Sequence, residues 1–283
     1  SGYPFSITVT LNKVSVHTRR ETHFQWHANM VELKARPWRP KHLTLYIPFS
    51  NVQHFQANLS KQLEIDTKLI TIDTRFDRTW HLNGVHIVIK DPDFKSYEHS
   101  LALRADTLSM AWTRSNKNYK TDNWHILASA NNLRPSNWRI KKNWHLNLQK
   151  LEATVAPTFS FGPIKESIAQ WKDAGGTINI REMMVIWGKL GIHVDGTLTV
   201  DDQYRPLGAF KATTESFIPL INQLEENDLI SFKQAMIAKV ASIAAAKRPG
   251  SESLHIPITA QFGRLFVGPL AIAELPTLET LMD

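Results

Sequence analysis

The sequence alternates apolar and polar residues over long stretches, and this pattern restricts the chain to a fold built largely from amphipathic β-strands. In PFSITVTL (4–11) and HLTLYIPF (42–49) every second residue is apolar. Because successive side chains of a strand point to opposite sides, each stretch has one apolar and one polar side. Comparable runs lie near residues 62–74, 79–90, 100–112, 124–132 and 143–155.

The connections between these runs are short. They carry turn-forming residues in RPWRP (36–40), KDPD (90–93), SNKN (115–118) and RPSN (134–137). Consecutive strands joined by short turns predict an antiparallel meander. The strands are about ten residues long against a usual 5–6, so the sheet needs something to bury its apolar side.

The second half of the sequence combines strands with helices. A helix is predicted in KESIAQWKDAGG (165–176), where two glycines mark its C-terminal cap. Ser216 is predicted to cap a second helix. A third covers SFKQAMIAKVASIAAAK (231–247), and we expect it to be largely buried because its apolar residues surround it. Residues 177–214 and 253–268 predict further strands, the latter a closing hairpin.

These patterns predict an α+β fold that is predominantly antiparallel β. Long amphipathic strands would form a curved sheet or open barrel, with two to three helices in the C-terminal half. We expect a β-rich lobe over residues 1–157 and an α+β lobe over residues 158–283. One sheet running continuously through both lobes stays open as an alternative.

Four Trp-His pairs begin at Trp26, Trp80, Trp124 and Trp144. In WHLN the Trp and Leu are two residues apart, so on a strand they share the apolar side and the histidine takes the polar side. We interpret the pair as a strand signature, not as a row of metal ligands. His23 and His27, for example, would lie about 13 Å apart on a strand rising about 3.3 Å per residue.

Composition and motifs exclude several functions. The chain has no cysteine, which rules out disulfides and thiolate chemistry. The 33 Lys and Arg exceed the 26 Asp and Glu, but the charges are scattered, which favours a solvated surface over a nucleic-acid interface. No nucleophile, phosphate-loop or zinc-protease motif is present. We therefore predict no catalytic residue, metal or cofactor, although a carboxylate pair among Asp66, Asp73 and Asp77 stays open.

Four segments carry a family resemblance: GYPF (2–5), ARPWRPKHL (35–43), the stretch from QWKDAGG to RPLGAF (170–210) and ITAQFGRLFVGPLAIAELPTL (258–278). Together they resemble domain of unknown function 2125, a family of alphaproteobacterial cell-envelope proteins. More distantly the chain is similar to AsmA-type envelope proteins, whose long strands curl around an apolar channel. The resemblance implies a periplasmic domain held at the inner membrane by an anchor upstream of Ser1. It brings no catalytic residues.

We expect a non-enzymatic protein that binds or transfers a lipid or another long apolar ligand in a groove of the sheet. The predicted lining residues are Phe5, Ile7, Val9, Leu11, Leu43, Leu45, Ile47, Trp80, Leu82, Trp144 and Leu146. The helix over residues 229–247 would plug or border the groove. Two alternatives stay open: an adaptor in an envelope complex, and an enzyme whose catalytic groups are far apart in sequence. For each apolar residue the alternative is a place in a closed core.

Overall fold

The computed structural model describes residues 6–17, 23–55, 61–97, 101–114, 123–137, 140–143, 146–156, 164–188, 190–214, 217–226, 230–246, 254–275 and 277. By their internal contacts the residues form two compact units. Unit 1 comprises residues 1–114 and 126–149, and unit 2 comprises residues 115–125 and 150–283. The predicted boundary between a β-rich lobe and an α+β lobe at residue 157 stays a prediction.

The first eleven strands are β1 (Ile7–His17), β2 (His23–Arg36), β3 (Arg39–Phe55), β4 (Lys61–Phe76), β5 (Leu82–Lys90), β6 (Asp93–Ser96), β7 (Leu101–Arg104), β8 (Thr107–Arg114), β9 (Trp124–Asn137), β10 (Ile140–Asn143) and β11 (Leu146–Ala156). The remaining elements are α1 (Ile164–Asp173), β12 (Thr177–Trp187), β13 (Leu190–Val200), β14 (Pro206–Thr214), α2 (Phe217–Glu226), α3 (Phe232–Ala246), β15 (Leu254–Gln261), β16 (Arg264–Val267) and β17 (Leu270–Glu274).

The predicted α+β class with predominantly antiparallel strands is confirmed. All three helices of the described residues fall in the C-terminal half, as the sequence indicated. The long strands are confirmed too, since β3 has 17 residues and β4 has 16. Their length is what turns the alternation of single residues into an extended apolar surface.

Unit 1 is an antiparallel meander that divides at β4. Strands β1 to β4 pair in chain order. The second half of β4 continues into β5 and then β8, whereas its first half pairs with β6, followed by β7 and β9. The short connections predicted at 36–40 and 90–93 join β2 to β3 and β5 to β6. One long strand thus supports two shorter branches of the sheet.

A change in the phase of the alternation occurs halfway along β1 and β3. Lys13 and Phe49 have left-handed backbones, with φ of 54° and 50°. Such a residue adds local twist and turns the next side chain over, as a β-bulge does. On β2, Ala28 and Val31 lie three apart yet belong to one apolar cluster with Ile47. The phase change therefore keeps the apolar residues of both halves on one side of the sheet.

Unit 2 combines a meander with helices that pack on it. Strands β12 to β17 pair antiparallel in chain order. Helices α2 and α3 supply most of a buried cluster that also includes a residue of β13, and its members are Leu190, Ile221, Leu224, Ile230 and Ala235. Ion pairing of Lys239 with Glu225, at 2.9 Å, joins the two helices. This sheet has a helical layer on its apolar side.

Helix α1 ends as the two glycines predicted. Gly175 has a φ of 72°, and the Gly176 amide donates to the Trp171 carbonyl at 2.8 Å while the Gly175 amide donates to Lys172. These are the two hydrogen bonds of a Schellman motif. Trp171 is buried, and a Cβ on Gly176 would overlap its ring. The second glycine is therefore required by packing as well as by the cap.

Helix α3 is confirmed as a helix, but its predicted burial is wrong. Ser231 and Gln234 form a reciprocal capping box at its start. Ala235 is fully buried, whereas Phe232 and Val240 are 69% and 65% exposed and Met236 is exposed as well. Small alanines, not the large apolar residues, face the strands. The predicted cap Ser216 of α2 lies outside the described residues.

Candidate functional site

An apolar face runs across unit 1 from β1 to β8. Residues directly opposite each other on paired strands point to the same side, so the pairing defines rows that continue from strand to strand. Two of these rows are apolar throughout. The first is Val9, Leu33, Leu45, Ile72, Ile87 and Met110. The second is Leu11, Val31, Ile47, Ile70, Ile89 and Leu108, in which Val31 and Ile47 belong to one buried cluster. A third begins with Ile7, Ala35 and Leu43. We call these three rows the apolar face.

Six residues expected in the groove meet on this face. Ile7, Val9 and Leu11 come from β1 and align with Leu43, Leu45 and Ile47 from β3 through their shared partners on β2. Even spacing of apolar residues within each stretch predicted this. The register that aligns the two stretches is set by the hairpin joining β2 to β3.

The apolar face is buried at its centre and open toward β1. Ile47 is 4% exposed and packs with Val31, Leu45, Ile70 and Ile72. By contrast Ile7, Val9 and Leu11 are 54%, 51% and 55% exposed. Apolar side chains normally find a packing partner on a folded protein, and contiguous exposed ones mark sites of interaction. The β1 side of the face is such a surface.

The other predicted lining residues lie elsewhere or outside the described part. Trp80 is not on a strand: it has a φ of 64°, is exposed and sits in the turn before β5. Its ring stacks at a tilt on Phe76, and the Lys41 ammonium lies 5.4 Å from its centre. Leu82 and Leu146 begin β5 and β11, both half-buried. Phe5 and Trp144 lie outside the described residues.

The predicted strand placement of Trp80 is wrong because turn chemistry outweighs the alternation there. The Asp77 carboxylate accepts hydrogen bonds from the Thr79 and His81 amides, and hydrogen bonds from Thr79 and the His81 backbone hold the pKa of Asp77 below its usual value. An aspartate two residues before the amide it bonds is a recognised turn signal. The segment DRTWH (77–81) contains this signal, with Asp77 two residues before Thr79.

The apolar face also includes residues that the groove prediction omitted. Ile70 and Ile72 of β4 and Ile87 and Ile89 of β5 extend the rows beyond β3. The signal for them was present in TKLITID and VHIVIK, which alternate like the first two stretches. The alternation predicts a strand in each stretch, but it does not show that the apolar residues of β4 and β5 lie on the same side of the sheet as those of β3.

Two buried hydroxyl groups next to the apolar face form a hydrogen bond with each other. Ser50 and Thr67 are buried and share a hydrogen bond of 2.8 Å. They are directly opposite each other, in the row beside Ala28. A mutual hydroxyl pair removes the cost of burying either group alone. The row of Ala28, Ser50 and Thr67 therefore carries polar atoms whose hydrogen bonding is satisfied.

Histidines of the Trp-His pairs do not converge on one point. His27 contacts the ring of His17 at 5.2 Å in unit 1. His81 lies in the turn with Thr79, and His125 bonds to Glu152 in unit 2 at 3.2 Å. His145 lies outside the described residues. Within the described ranges no three His, Asp or Glu side chains are arranged to hold a metal ion.

The three aspartates considered as an acidic pair have separate partners. Asp66 accepts from Asn51 at 2.6 Å, and Asp73 accepts from Thr44 at 2.6 Å. Asp77 is engaged by its own turn. Each carboxylate is held where its strand or turn places it, so the geometry gives no reason to pair them.

A charge network of unit 2 lies across β11 and β12. Lys150 bridges Glu152 at 3.0 Å and Glu182 at 2.6 Å, while His125 and Arg181 also contact Glu152. Hydrogen bonds from Lys150 first, then His125 and Arg181, lower the pKa of Glu152 from 4.5 to about 2. Alternating cations and anions across paired strands stabilise the register, which is a structural role.

A second exposed apolar surface lies on α3. Phe232, Met236 and Val240 are spaced four residues apart and therefore share one side of the helix, with Ile237 beside them. We call Phe232, Met236 and Val240 the α3 stripe. A helix facing only water would present polar residues there.

Comparison with known proteins gives one match. No curated protein and no solved structure matches the chain. Among the described helices none is sufficiently long and apolar to cross a membrane. The family model for DUF2125, an uncharacterized protein conserved in bacteria, matches residues 1–276. Since the match spans nearly the whole sequence, the chain belongs to the family of domain of unknown function 2125.

Proposed function

We propose that this protein binds a lipid, or another long apolar molecule, along the apolar face of unit 1 and carries or presents it without chemical change. The observation that supports the proposal is the exposure of Ile7, Val9 and Leu11 beside rows that are apolar from β1 to β8. A long hydrocarbon chain matches an elongated apolar surface, whereas a compact ligand would need a closed pocket. The function is binding because the surface presents hydrocarbon side chains, not titratable groups.

The driving force would be hydrophobic. Covering apolar surface gains roughly 25 cal/mol per Å2, and each buried CH2 roughly 0.8 kcal/mol. A lipid chain must offset its loss of freedom, so contact along several rows is needed. Rows that continue over six strands supply that length of contact.

A location at the inner membrane, on the periplasmic side, is part of the same proposal. This location rests on the resemblance to envelope proteins and on the more distant similarity to AsmA-type proteins. A protein that takes up lipid from a bilayer gains from being held beside it, because tethering raises the effective concentration of the two partners.

The test is native mass spectrometry of protein purified from membranes, with extraction and identification of co-purifying lipid. Val9→Lys places a charge on the apolar face, and its matched control Thr10→Lys places the same charge on the opposite side of β1. We expect lipid occupancy in the parent and in Thr10→Lys and loss of most of it in Val9→Lys. Absence of lipid from the parent protein would count against the proposal.

The α3 stripe supports a second candidate, an adaptor that binds another protein of the envelope. Exposed apolar residues at four-residue spacing on a helix are the contacts by which helices dock into grooves of partner proteins. Site-specific photo-crosslinking from position 240 in cells tests it, with exposed Lys211 on β14 as the control position. One discrete protein adduct from position 240 alone supports the adaptor, and equal labelling at both positions contradicts it.

A further inference from the structure

We infer that the polar side of the same sheet in unit 1 carries a binding site for a phosphate-type anion. A recess of about 440 Å3 lies there, and its lining includes Lys34, Arg36, Arg39, Thr44, Asp73 and Arg75. We call it the basic recess. Its volume falls within the range of small-molecule sites. Its polar lining residues on β2, β3 and β4 alternate with residues of the apolar face, of which Ala35 and Leu43 also border the recess.

Cross-strand pairing builds the recess. Lys34, Thr44, Asp73 and His86 form one row over four strands. The next row places His42 opposite Arg75, and Arg36 lies opposite Arg39 where β2 turns into β3. These side chains come from four strands, so the recess is a product of the register and is invisible in any one segment.

Two arginines directly opposite each other are unfavourable unless something offsets their repulsion. Arg36, Arg39 and Arg75 have no ion-pair partner among the described residues. Lys34, by contrast, has an ion-pair partner. Its ammonium lies 3.0 Å from the Glu32 carboxylate and 4.5 Å from the Tyr46 ring centre. The three arginines therefore carry unbalanced charge into one recess.

The charge balance indicates the ligand class. Besides Lys34, which is paired with Glu32, the recess is lined by three arginines and one carboxylate, Asp73, which accepts a hydrogen bond from the Thr44 hydroxyl at 2.6 Å. The surplus is two positive charges, which suits a phosphate ester or a pyrophosphate better than a single carboxylate. Guanidinium groups bind phosphate oxygens in pairs, which is why arginine predominates in such sites. The net charge of +7 attracts anions to the protein as a whole.

Two sources can supply this chemistry, a free phosphate compound or the headgroup of a phospholipid. Trp38 separates Arg36 from Arg39 at the tip of the hairpin and is exposed. Tryptophan at the edge of a basic surface favours the interface of a bilayer. If the anion belongs to a lipid, Trp38 contributes to binding; if it is free, Trp38 does not.

Calorimetric titration with inorganic pyrophosphate and sedimentation with vesicles test the site. The vesicles are phosphatidylglycerol in phosphatidylcholine, against phosphatidylcholine alone. The variants are Arg39→Gln and Arg75→Gln, with Lys90→Gln as a control that removes the same charge from β5 outside the recess. Thermal unfolding verifies that each variant is folded.

We expect each arginine variant to weaken binding roughly tenfold, the usual worth of a hydrogen bond to a charged group. Lys90→Gln should leave it nearly unchanged, and Asp73→Asn should strengthen it by removing the opposing charge. Pyrophosphate binding with this pattern supports a free phosphate compound. Binding only to anionic vesicles, weakened also by Trp38→Ala, supports a lipid headgroup. No binding to either probe, or equal weakening by Lys90→Gln, overturns the inference.

Discussion

Both units use long alternating strands, but they complete their apolar sides differently. In unit 2 helices α2 and α3 cover the sheet through Ile221, Leu224 and Ala235, which are buried. In unit 1 no described residue is helical, and apolar residues of β1 remain about half exposed. An amphipathic sheet must bury its apolar side on something. Unit 2 does so with its own chain, whereas in unit 1 part of that surface is exposed on β1.

Because of this difference, the contribution of apolar residues to packing can be measured in unit 2 and their proposed contribution to ligand binding in unit 1. Where a helix layer exists, an apolar residue contributes mainly to stability. Where no described helix covers the sheet, an exposed apolar residue at the edge gains little from folding, and under our proposal it gains more from contact with a ligand. The proposal for unit 1 therefore predicts that stability and binding respond to different residues.

The largest effect is expected for Leu224→Ala beneath the helices of unit 2. Removing a buried leucine side chain costs about 2–5 kcal/mol of the free energy of unfolding, measured by chemical denaturation. Val240→Ala on exposed α3 is the control and should stay within about 0.5 kcal/mol. Equal effects of the two changes would break the distinction between covered and exposed surfaces.

A smaller effect on stability is expected for Leu11→Ser on the open edge of unit 1. Because Leu11 is 55% exposed, we expect a loss below about 1 kcal/mol. Lipid occupancy in native mass spectrometry should nevertheless fall severalfold. A large loss of stability with unchanged occupancy would assign Leu11 to a closed core and remove the contrast with unit 2.

The charge network of unit 2 should respond to acid. The folded-state pKa of Glu152 is about 2, below its ordinary 4.5, because Lys150, His125 and Arg181 bond the carboxylate. Its contribution to stability is present above pH 4.5 and is lost as the pH falls toward 2. Hydrogen exchange of β11 and β12 should therefore quicken over that window, and Glu152→Gln should remove this dependence. An unchanged dependence in the variant would show that other groups cause it.

The smallest effect on folding is expected on the α3 stripe. Phe232→Ser should change the free energy of unfolding by about 0.5 kcal/mol or less, since the side chain is exposed. Retained melting temperature with loss of a protein crosslink from position 240 would sharpen the adaptor alternative. A drop in melting temperature comparable to that of Leu224→Ala would show that the stripe is packed.

Local patterns predicted most elements but not their partners. Period-2 alternation gave the strands containing Val9 and Leu45, and the glycine pair gave the end of α1. The alternation could not show that its phase changes at Lys13 and Phe49, because a left-handed backbone at these residue types has no strong sequence signal.

The errors have the same physical origin. Helix α3 is apolar on most of its surface, but which side packs depends on where alanines allow close approach to the strands. Trp80 fits an alternating pattern, but Asp77 closes a turn across it. The basic recess was missed since its arginines come from different strands. The register between strands that are far apart in sequence depends on the tertiary structure, so local sequence patterns do not predict it.

The central claim is that a lipid lies on the apolar face of unit 1, and crosslinking from adjacent residues tests it most directly. A photoreactive amino acid is placed at Val9, which faces the apolar rows, or at Thr10, which faces the polar side and is also exposed. After irradiation in cells, the purified protein is analysed by mass spectrometry. The account predicts a lipid-mass adduct from position 9 and background from position 10. Equal or absent adducts from two folded variants would contradict it.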